Sequence, residues 1–260
     1  MQQSATTRRV LGSITALGLV FLYAPLVVVA VLSFNTSRSF SWPPDGFTTS
    51  WWNRAWQSDD IRTSLGNSAK TALCASLVAL VLGTLASFAV QRFRFFGRET
   101  ISFLVILPIA LPGIVTGIAL NRALRSLGAQ MGFLTLVVAH ATFCIVVVYN
   151  NVIARLRRLS PNLEEASADL GADTWQTFRY VTFPMLRSAL LAGALLAFAL
   201  SFDEIVVTTF TSGPGFQTLP LWIFSNMFRP NNLPLVNVVA TAVVLLSIIP
   251  VWLAQRLIDP

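Results

Sequence analysis

Two adjacent carboxylates, Asp203 and Glu204, lie inside a long apolar run of the sequence. An acidic residue at the centre of a membrane-spanning helix costs about 2.5–3.5 kcal/mol on insertion scales, so such a pair is expected to face a cavity. Carboxylates there attract cations, and the nearby rings of Phe202, Phe210 and Trp222 could add cation–π faces. These residues predict a path for a small organic cation through the outer half of a membrane.

The same acids have a second interpretation. They could stand at the outer end of a shorter helix, where they would cap it or pair with another subunit. Adjacent helical residues point about 100° apart, which makes Glu204 the weaker candidate for the path. Other polar residues inside apolar runs could line the path or form interhelical hydrogen bonds; they are Tyr149, which we include in the path, and His140, Asn121, Asn150 and Asn151.

Residues that could perform catalysis are few. The single histidine and the two cysteines, Cys74 and Cys144, all lie in apolar runs and form neither a metal-ligand spacing nor a nucleophile–base pair. The stretch "SLGNSAKTA" around Lys70 places Ser64 and Ala69 where a phosphate-binding loop needs glycine. We therefore predict that the chain is not an enzyme, binds no metal or cofactor, and does not hydrolyse ATP.

The elements that must position these residues are membrane helices. The chain has 260 residues, of which 55% are hydrophobic and 11% charged, whereas soluble domains average about 25% charged residues. About 20 apolar residues cross the hydrocarbon core. The sequence predicts an all-α protein with one transmembrane domain and six spans, the first of them too long for a cleaved signal peptide: 10–33, 65–90, 101–124, 133–153, 185–210 and 235–257.

The distribution of arginines predicts the orientation of these spans. Eleven arginines fall on the side that carries both termini and six on the other side. Because cytoplasmic loops are enriched in basic residues, both termini are expected in the cytoplasm of a bacterial inner membrane. The net charge of +7 comes from short arginine clusters between apolar runs, a pattern that suits anionic lipid and not nucleic acid.

One cytoplasmic stretch between the fourth and fifth spans, residues 160–184, is charged and marked by helix signals; we call it the coupling segment. Ser160-Pro161 is typical of a helix start, and Glu164 and Glu165 complement the dipole of that helix. Gly171 is expected to end it in a left-handed conformation. The sequence predicts one short helix followed by a sharp corner.

A second short helix is expected after that corner. Asp173 precedes Gln176 by three residues, which is the spacing of a capping box. Phe183-Pro184 is expected to end the helix, because the residue before proline avoids the helical region. An amphipathic linker on the membrane surface would also fit these two helices.

The motif within the coupling segment favours a more specific interpretation. Its pattern, E-A-S-x-x-x-G followed by nine residues and V-x-F-P, resembles the E-A-A loop of importer permeases in the ATP-binding-cassette superfamily. Three further stretches, "HATFCIVVVYNNVIARLRRLSPNLEEASADLGA", "LLAFALSFDEIVVTTFTSGPGFQTLPLWIFS" and "SFNTSRSFSWPPDGFTTSWW", resemble spermidine/putrescine-type permease subunits. Glu165, Ala166, Gly171 and Pro184 match the loop pattern, while Ser167, Val181 and Phe183 depart from it.

The resemblance implies the importer permease fold and a set of partners. These are a homologous permease subunit, a cytoplasmic ATPase dimer that binds ATP and Mg, and an extracytoplasmic substrate-binding protein, all within membrane lipid. The transported solute would be a diamine or polyamine, or another small organic solute. The residues implied in coupling to the ATPase are Glu164, Glu165, Ala166, Ser167, Ala168, Asp169, Gly171 and Pro184.

Two other function classes fit less well. An ion-coupled secondary transporter would show internal repeats with broken helices, and it leaves the coupling segment unexplained. A membrane enzyme would need a catalytic constellation within the spans, which this sequence does not offer.

Overall fold

Helices form the regular structure of the chain in a computed structural model that describes residues 5–160, 162–229 and 231–258. Within these ranges no β-sheet forms, and one isolated β-bridge joins Asn35 to Phe47. The all-α prediction is therefore confirmed. In chain order the helices are α1 Ala5–Leu32, α2 Ser50–Gln57, α3 Asp59–Arg92, α4 Arg98–Ala110, α5 Gly113–Ser126, α6 Phe133–Leu156, α7 Asn162–Asp169, α8 Thr174–Thr177, α9 Phe183–Phe202, α10 Val206–Thr211, α11 Leu219–Asn226 and α12 Leu233–Ile258.

Four continuous helical stretches of the described chain are long and apolar enough to cross a membrane. They are Thr6–Leu32, Asp59–Arg92, Phe133–Leu156 and Thr174–Phe202. The predicted span 101–124 differs, because α4 and α5 meet at an angle of 111°. Leu111 is extended there, with φ −84° and ψ 146°, since the residue before Pro112 avoids the helical region.

The predicted span 185–210 is also interrupted. Helix α9 ends at Phe202 and α10 begins at Val206, which leaves residues 203–205 as a break, here called the helix break. This stretch contains neither glycine nor proline, so its sequence offers no local signal for an interruption. The two acids singled out above therefore stand in a break and not inside a continuous helix.

The chain divides into two compact units. The first contains the residues up to Arg62 together with Ile223–Leu253. In it the loop after α1 is ordered by Asn35, whose carbonyl accepts a 2.9 Å hydrogen bond from Trp51 Nε1. The rings of Phe34 and Trp52 stack 5.4 Å apart beside it.

The second unit includes Thr63–Trp222 and is built around α6. Helices α3 and α9 each have a glycine where they pack against Val148 of α6. A Cβ on Gly83 of α3 would lie 3.0 Å from the Val148 side chain, and one on Gly193 of α9 would lie 3.3 Å from its Cα. Small residues of this kind let membrane helices pack backbone to backbone. This core holds the start of α9, and therefore the coupling segment, against α6 and α3.

Candidate functional site

The coupling segment forms two short helices with a sharp corner, as the sequence predicts. Pro161 of the predicted helix start lies outside the described residues, and α7 begins at Asn162. Gly171 has φ +84°, the left-handed conformation that ends a helix. Its N–H donates to Ala168 O at 2.9 Å, and the N–H of Ala172 donates to Ser167 O at 3.1 Å. These bonds satisfy carbonyl groups at the end of α7 and fix the corner.

Helix α8 begins with the predicted capping box. The Gln176 N–H donates to Asp173 Oδ1 at 2.8 Å, and the Asp173 N–H donates to Gln176 Oε1 at 2.9 Å. The predicted end of this helix at Phe183-Pro184 is wrong. The chain continues through a π-helical turn, Phe178–Thr182, directly into α9.

The π-helical turn explains why Pro184 does not stop the helix. A residue at this position would normally donate to the carbonyl four residues earlier, and proline lacks that N–H. Here Phe183 already bonds the carbonyl of Phe178, five residues back, and Pro184 lies in the first turn of α9. Proline is tolerated in a first turn because its missing donor is not needed there. The coupling segment is thus continuous with a membrane helix.

Glu164 joins the coupling segment to two membrane helices. Its Oε1 atom accepts a 2.7 Å hydrogen bond from Thr182 Oγ1 at the base of α9. The same carboxylate forms an ion pair with Arg92 at the end of α3. The Arg92 guanidinium carbon lies 5.3 Å above the ring of Phe88. Arg92 and Thr182 were not among the residues singled out from the sequence, since nothing local marks a partner 72 residues away.

Aromatic rings line the space beside this ion pair. Phe178 contacts Phe88 of α3 at a ring distance of 6.0 Å and Trp175 of α8 at 5.7 Å. These rings line an open cleft of about 640 Å³ with Glu164 and Arg92 in its wall. The coupling segment is therefore attached to α3 by apolar contacts as well as by charge.

The other predicted coupling residues of α7 take no part in this ion pair. Ser167 Oγ lies 3.0 Å from Thr177 Oγ1 and so joins α7 to α8. Glu165, Ala166, Ala168 and Asp169 are exposed, and Ala168 also lines the cleft beside Glu164. The structure thus separates the predicted coupling residues into an inward set, Glu164 and Ser167, and an exposed set that a partner can reach.

The two acids of the helix break have different surroundings. Glu204 Oε1 accepts a 2.8 Å hydrogen bond from the Val207 N–H, so this carboxylate caps the start of α10. This is the alternative that the sequence left open. Asp203 closes α9 through its N–H, which donates to Ala199 O at 3.1 Å. Its side chain is exposed, and the described residues offer its carboxylate no hydrogen bond.

The other predicted path residues are distributed around this break. Phe202 is half-buried and stacks on Phe198 at 5.9 Å. Phe210 packs on Gly117 of α5, where a Cβ would lie 2.7 Å from the Phe210 ring. Tyr149 and Trp222 are only 2% and 5% exposed. The Tyr149 hydroxyl donates to Ser102 Oγ at 3.0 Å, which is the interhelical role that the sequence also allowed.

The remaining polar residues of the spans contact neighbouring helices or solvent. His140 lies between Ser201 and Thr208, and Asn121 Nδ2 donates to Phe210 O at 2.5 Å. Asn151 bonds a carbonyl of its own helix, and Asn150 is exposed.

Comparison with known proteins identifies the family. Residues 79–260 match the family described as "Binding-protein-dependent transport system inner membrane component". The chain is 37% identical over 238 residues to the putrescine transport system permease protein PotI of Escherichia coli (strain K12), covering 88% of this chain and 84% of that protein. It is 35% identical over 236 residues to the spermidine/putrescine transport system permease protein PotC of the same strain, covering 90% and 88%.

A solved structure shows the same fold. A bacterial ABC transporter involved in the import of the acidic polysaccharide alginate aligns with a TM-score of 0.70 over 100% of this chain and 99% of that chain, at 17% identity. The match confirms the importer permease fold, and the family match confirms the resemblance carried by the E-A-A pattern. The chain therefore belongs to the binding-protein-dependent transport family as a multi-pass inner-membrane permease subunit of an ATP-binding-cassette importer, and it is a transporter component, not an enzyme.

Proposed function

We propose that this permease subunit forms half of the path by which putrescine, spermidine or a related small amine enters the cell. The observation that carries the proposal is the exposed carboxylate of Asp203 in the helix break. An unpaired acid within a membrane span is costly and is kept where it faces water or a cation. The similarity to PotI and PotC, whose names specify putrescine and spermidine, supports an amine as that cation.

The chemistry of the helix break suits a protonated amine. An ammonium group can pair with the Asp203 carboxylate while the half-buried ring of Phe202 offers a cation–π face. Glu204 contributes its negative charge nearby, although one of its oxygens is engaged with the Val207 N–H. Phe210, Tyr149 and Trp222 remain predicted path residues. Phe210 is half-buried, whereas Tyr149 and Trp222 are buried and reach a solute only after the helices move.

The coupling segment is proposed as the docking element for a cytoplasmic ATPase dimer. Its exposed residues Glu165, Ala166, Ala168 and Asp169 form a small, acidic surface, and Gly171 fixes the corner beside it. Glu165 is expected to pair with a basic residue of the ATPase. The inward residue Glu164 then transmits movement of α7 to α3 and α9, which is what alternating access requires.

The complete importer would contain further subunits. A homologous permease would supply the other half of the path, and an extracytoplasmic binding protein would deliver the solute. ATP and Mg would bind to the ATPase and not to this chain. The excess of arginine on the side of the coupling segment supports a cytoplasmic location for that segment and for both termini.

The proposal is tested by the ATPase activity of the complete assembly in lipid nanodiscs. The binding protein is supplied empty, with putrescine, with spermidine, or with a small solute that carries no amine. We expect the two amines to stimulate ATP hydrolysis above the level of the empty binding protein. Stimulation by the amine-free solute alone would favour the alternative function, import of another small organic solute.

A further inference from the structure

His140 of α6 faces the helix break from the neighbouring helix. Its side chain is fully buried. Nδ1 lies 2.8 Å from Ser201 Oγ in the last turn of α9, and Nε2 lies 2.9 Å from Thr208 Oγ1 in α10. One imidazole ring therefore connects the two helices across residues 203–205.

The hydrogen bonds around this ring assign its donor and acceptor. Thr208 Oγ1 donates a 2.8 Å bond to the carbonyl of Glu204, so the Thr208 hydroxyl must accept from Nε2–H. In the neutral imidazole Nδ1 then accepts from the Ser201 hydroxyl. Both ring nitrogens and both hydroxyls are satisfied, as buried polar groups require.

The helix break needs a tertiary contact of this kind. A helix interrupted at membrane depth exposes backbone groups that neighbouring side chains must satisfy. The stretch "SFDEIVVT", from Ser201 to Thr208, contains no residue that breaks a helix by itself. Thr208, held by His140, covers the Glu204 carbonyl, and the Glu204 carboxylate covers the Val207 N–H.

We propose that His140 is a positioning residue that fixes the helix break and thereby sets the place of the Asp203 carboxylate. It does this through the two hydroxyl groups of Ser201 and Thr208 and does not touch the transported solute. The consequence for transport rests on the proposed function of Asp203 as an amine contact. The consequence for the geometry of the break is independent of that function.

The variants separate hydrogen bonding from the filling of space. His140→Phe keeps an apolar ring that can still pack on Phe143, whose ring centroid is 5.4 Å away, but it removes both hydrogen bonds. His140→Gln keeps one donor and one acceptor in the side chain. The double variant Ser201→Ala/Thr208→Val leaves the histidine in place and removes its partners, and it serves if His140→Phe fails to assemble.

Two readouts are measured on the complete assembly in nanodiscs. The first is the rate at which a charged thiol reagent modifies Asp203→Cys, with the native cysteines as background in the unsubstituted protein. The second is the KM for putrescine in the stimulation of ATP hydrolysis, measured with the binding protein present and Asp203 retained. We expect His140→Phe and the double variant each to change both the modification rate and the KM by about tenfold, with the KM raised. In His140→Gln both quantities should stay within about threefold of wild type.

The outcomes distinguish the two proposals. An unchanged modification rate in both His140→Phe and the double variant overturns the positioning role. A changed rate with an unchanged KM keeps His140 as the positioning residue and removes Asp203 from the amine path. A KM raised equally in His140→Phe and His140→Gln also contradicts the role, because the hydrogen bonds retained by glutamine should have kept the KM near wild type.

Discussion

Thr182 at the base of α9 donates a 2.7 Å hydrogen bond to Glu164 of α7. The carboxylate of Glu164 is also ion-paired with Arg92 at the end of α3. A single side chain in the coupling segment thus holds two membrane helices together with α7. We expect a displacement of α7 to be passed to both helices, which gives the first of the predictions.

Replacing Arg92 with glutamine should reduce the coupling between ATP hydrolysis and transport. Glu164 would keep its bond to Thr182 but lose its ion pair with α3, so α7 would drive α9 alone. We expect the ratio of solute imported to ATP hydrolysed to fall by about fivefold, the effect of losing about 1 kcal/mol of a half-exposed ion pair. The ratio is measured in proteoliposomes that contain the complete assembly.

The matched control for this prediction is Arg94→Gln. Arg94 is exposed and lies two residues further along the same basic stretch. The Arg94→Gln substitution removes the same charge without removing a contact to Glu164. Equal ratios for the two variants would contradict transmission through the Arg92–Glu164 pair.

Glu165→Ala should weaken the attachment of the ATPase. Glu165 is exposed on α7 and is placed to form a charge-assisted hydrogen bond with a basic partner, a bond that contributes about 1.5–3 kcal/mol. We expect at least a tenfold loss of affinity, measured by titrating the purified ATPase onto the permease pair in nanodiscs. Glu99→Ala removes another exposed carboxylate, near the start of α4, and should leave the affinity unchanged. Wild-type affinity in Glu165→Ala would remove this residue from the docking surface.

Gly171→Ala should strain the corner of the coupling segment. A Cβ at Gly171 meets no atom within 4 Å, so the cost is conformational and not steric. An L-residue at φ +84° costs about 1–2 kcal/mol, and asparagine tolerates this region better. We expect ATPase affinity to fall about fivefold in Gly171→Ala and to remain near wild type in Gly171→Asn. The same fall in both variants would show that the left-handed conformation is not what matters.

Gly83→Ala should destabilise the permease, although alanine normally favours a helix over glycine. Its Cβ would lie 3.0 Å from both the Ile145 carbonyl and the Val148 side chain, and such overpacking costs about 1–3 kcal/mol. Gly66→Ala, in the same helix with nothing within 4 Å, is the control and should be neutral or stabilising. Thermal unfolding in detergent compares the two. A melting temperature for Gly83→Ala at or above that of Gly66→Ala would be inconsistent with close packing at Val148.

The features that the sequence predicted correctly are local. The capping box of Asp173 and Gln176 involves residues three apart. The corner at Gly171 depends on the one residue type that adopts positive φ without strain. The bend at Leu111 could also have been found, because Pro112 constrains the residue before it. Each of these signals is carried by neighbouring residues.

The features that the sequence missed depend on contacts between distant residues. The helix break has no local breaker and is stabilised from α6 by His140, some 60 residues earlier in the chain. Pro184 was expected to end a helix, but the π-helical turn before it removes the need for its N–H. Glu164 was assigned to an ATPase partner, whereas its carboxylate is occupied by Arg92 and Thr182. Periodicity and motif spacing carry no information about such pairings.

The most direct test of the account is uptake of labelled putrescine into proteoliposomes that contain the complete assembly, with ATP on the side of the coupling segment and binding protein on the other. Asp203→Asn is compared with wild type and with Asp60→Asn, an exposed acid at the start of α3. We expect ATP-dependent uptake in wild type and Asp60→Asn, and a KM raised about tenfold in Asp203→Asn, the equivalent of about 1.4 kcal/mol. An unchanged KM and rate in Asp203→Asn would contradict an amine path at the helix break.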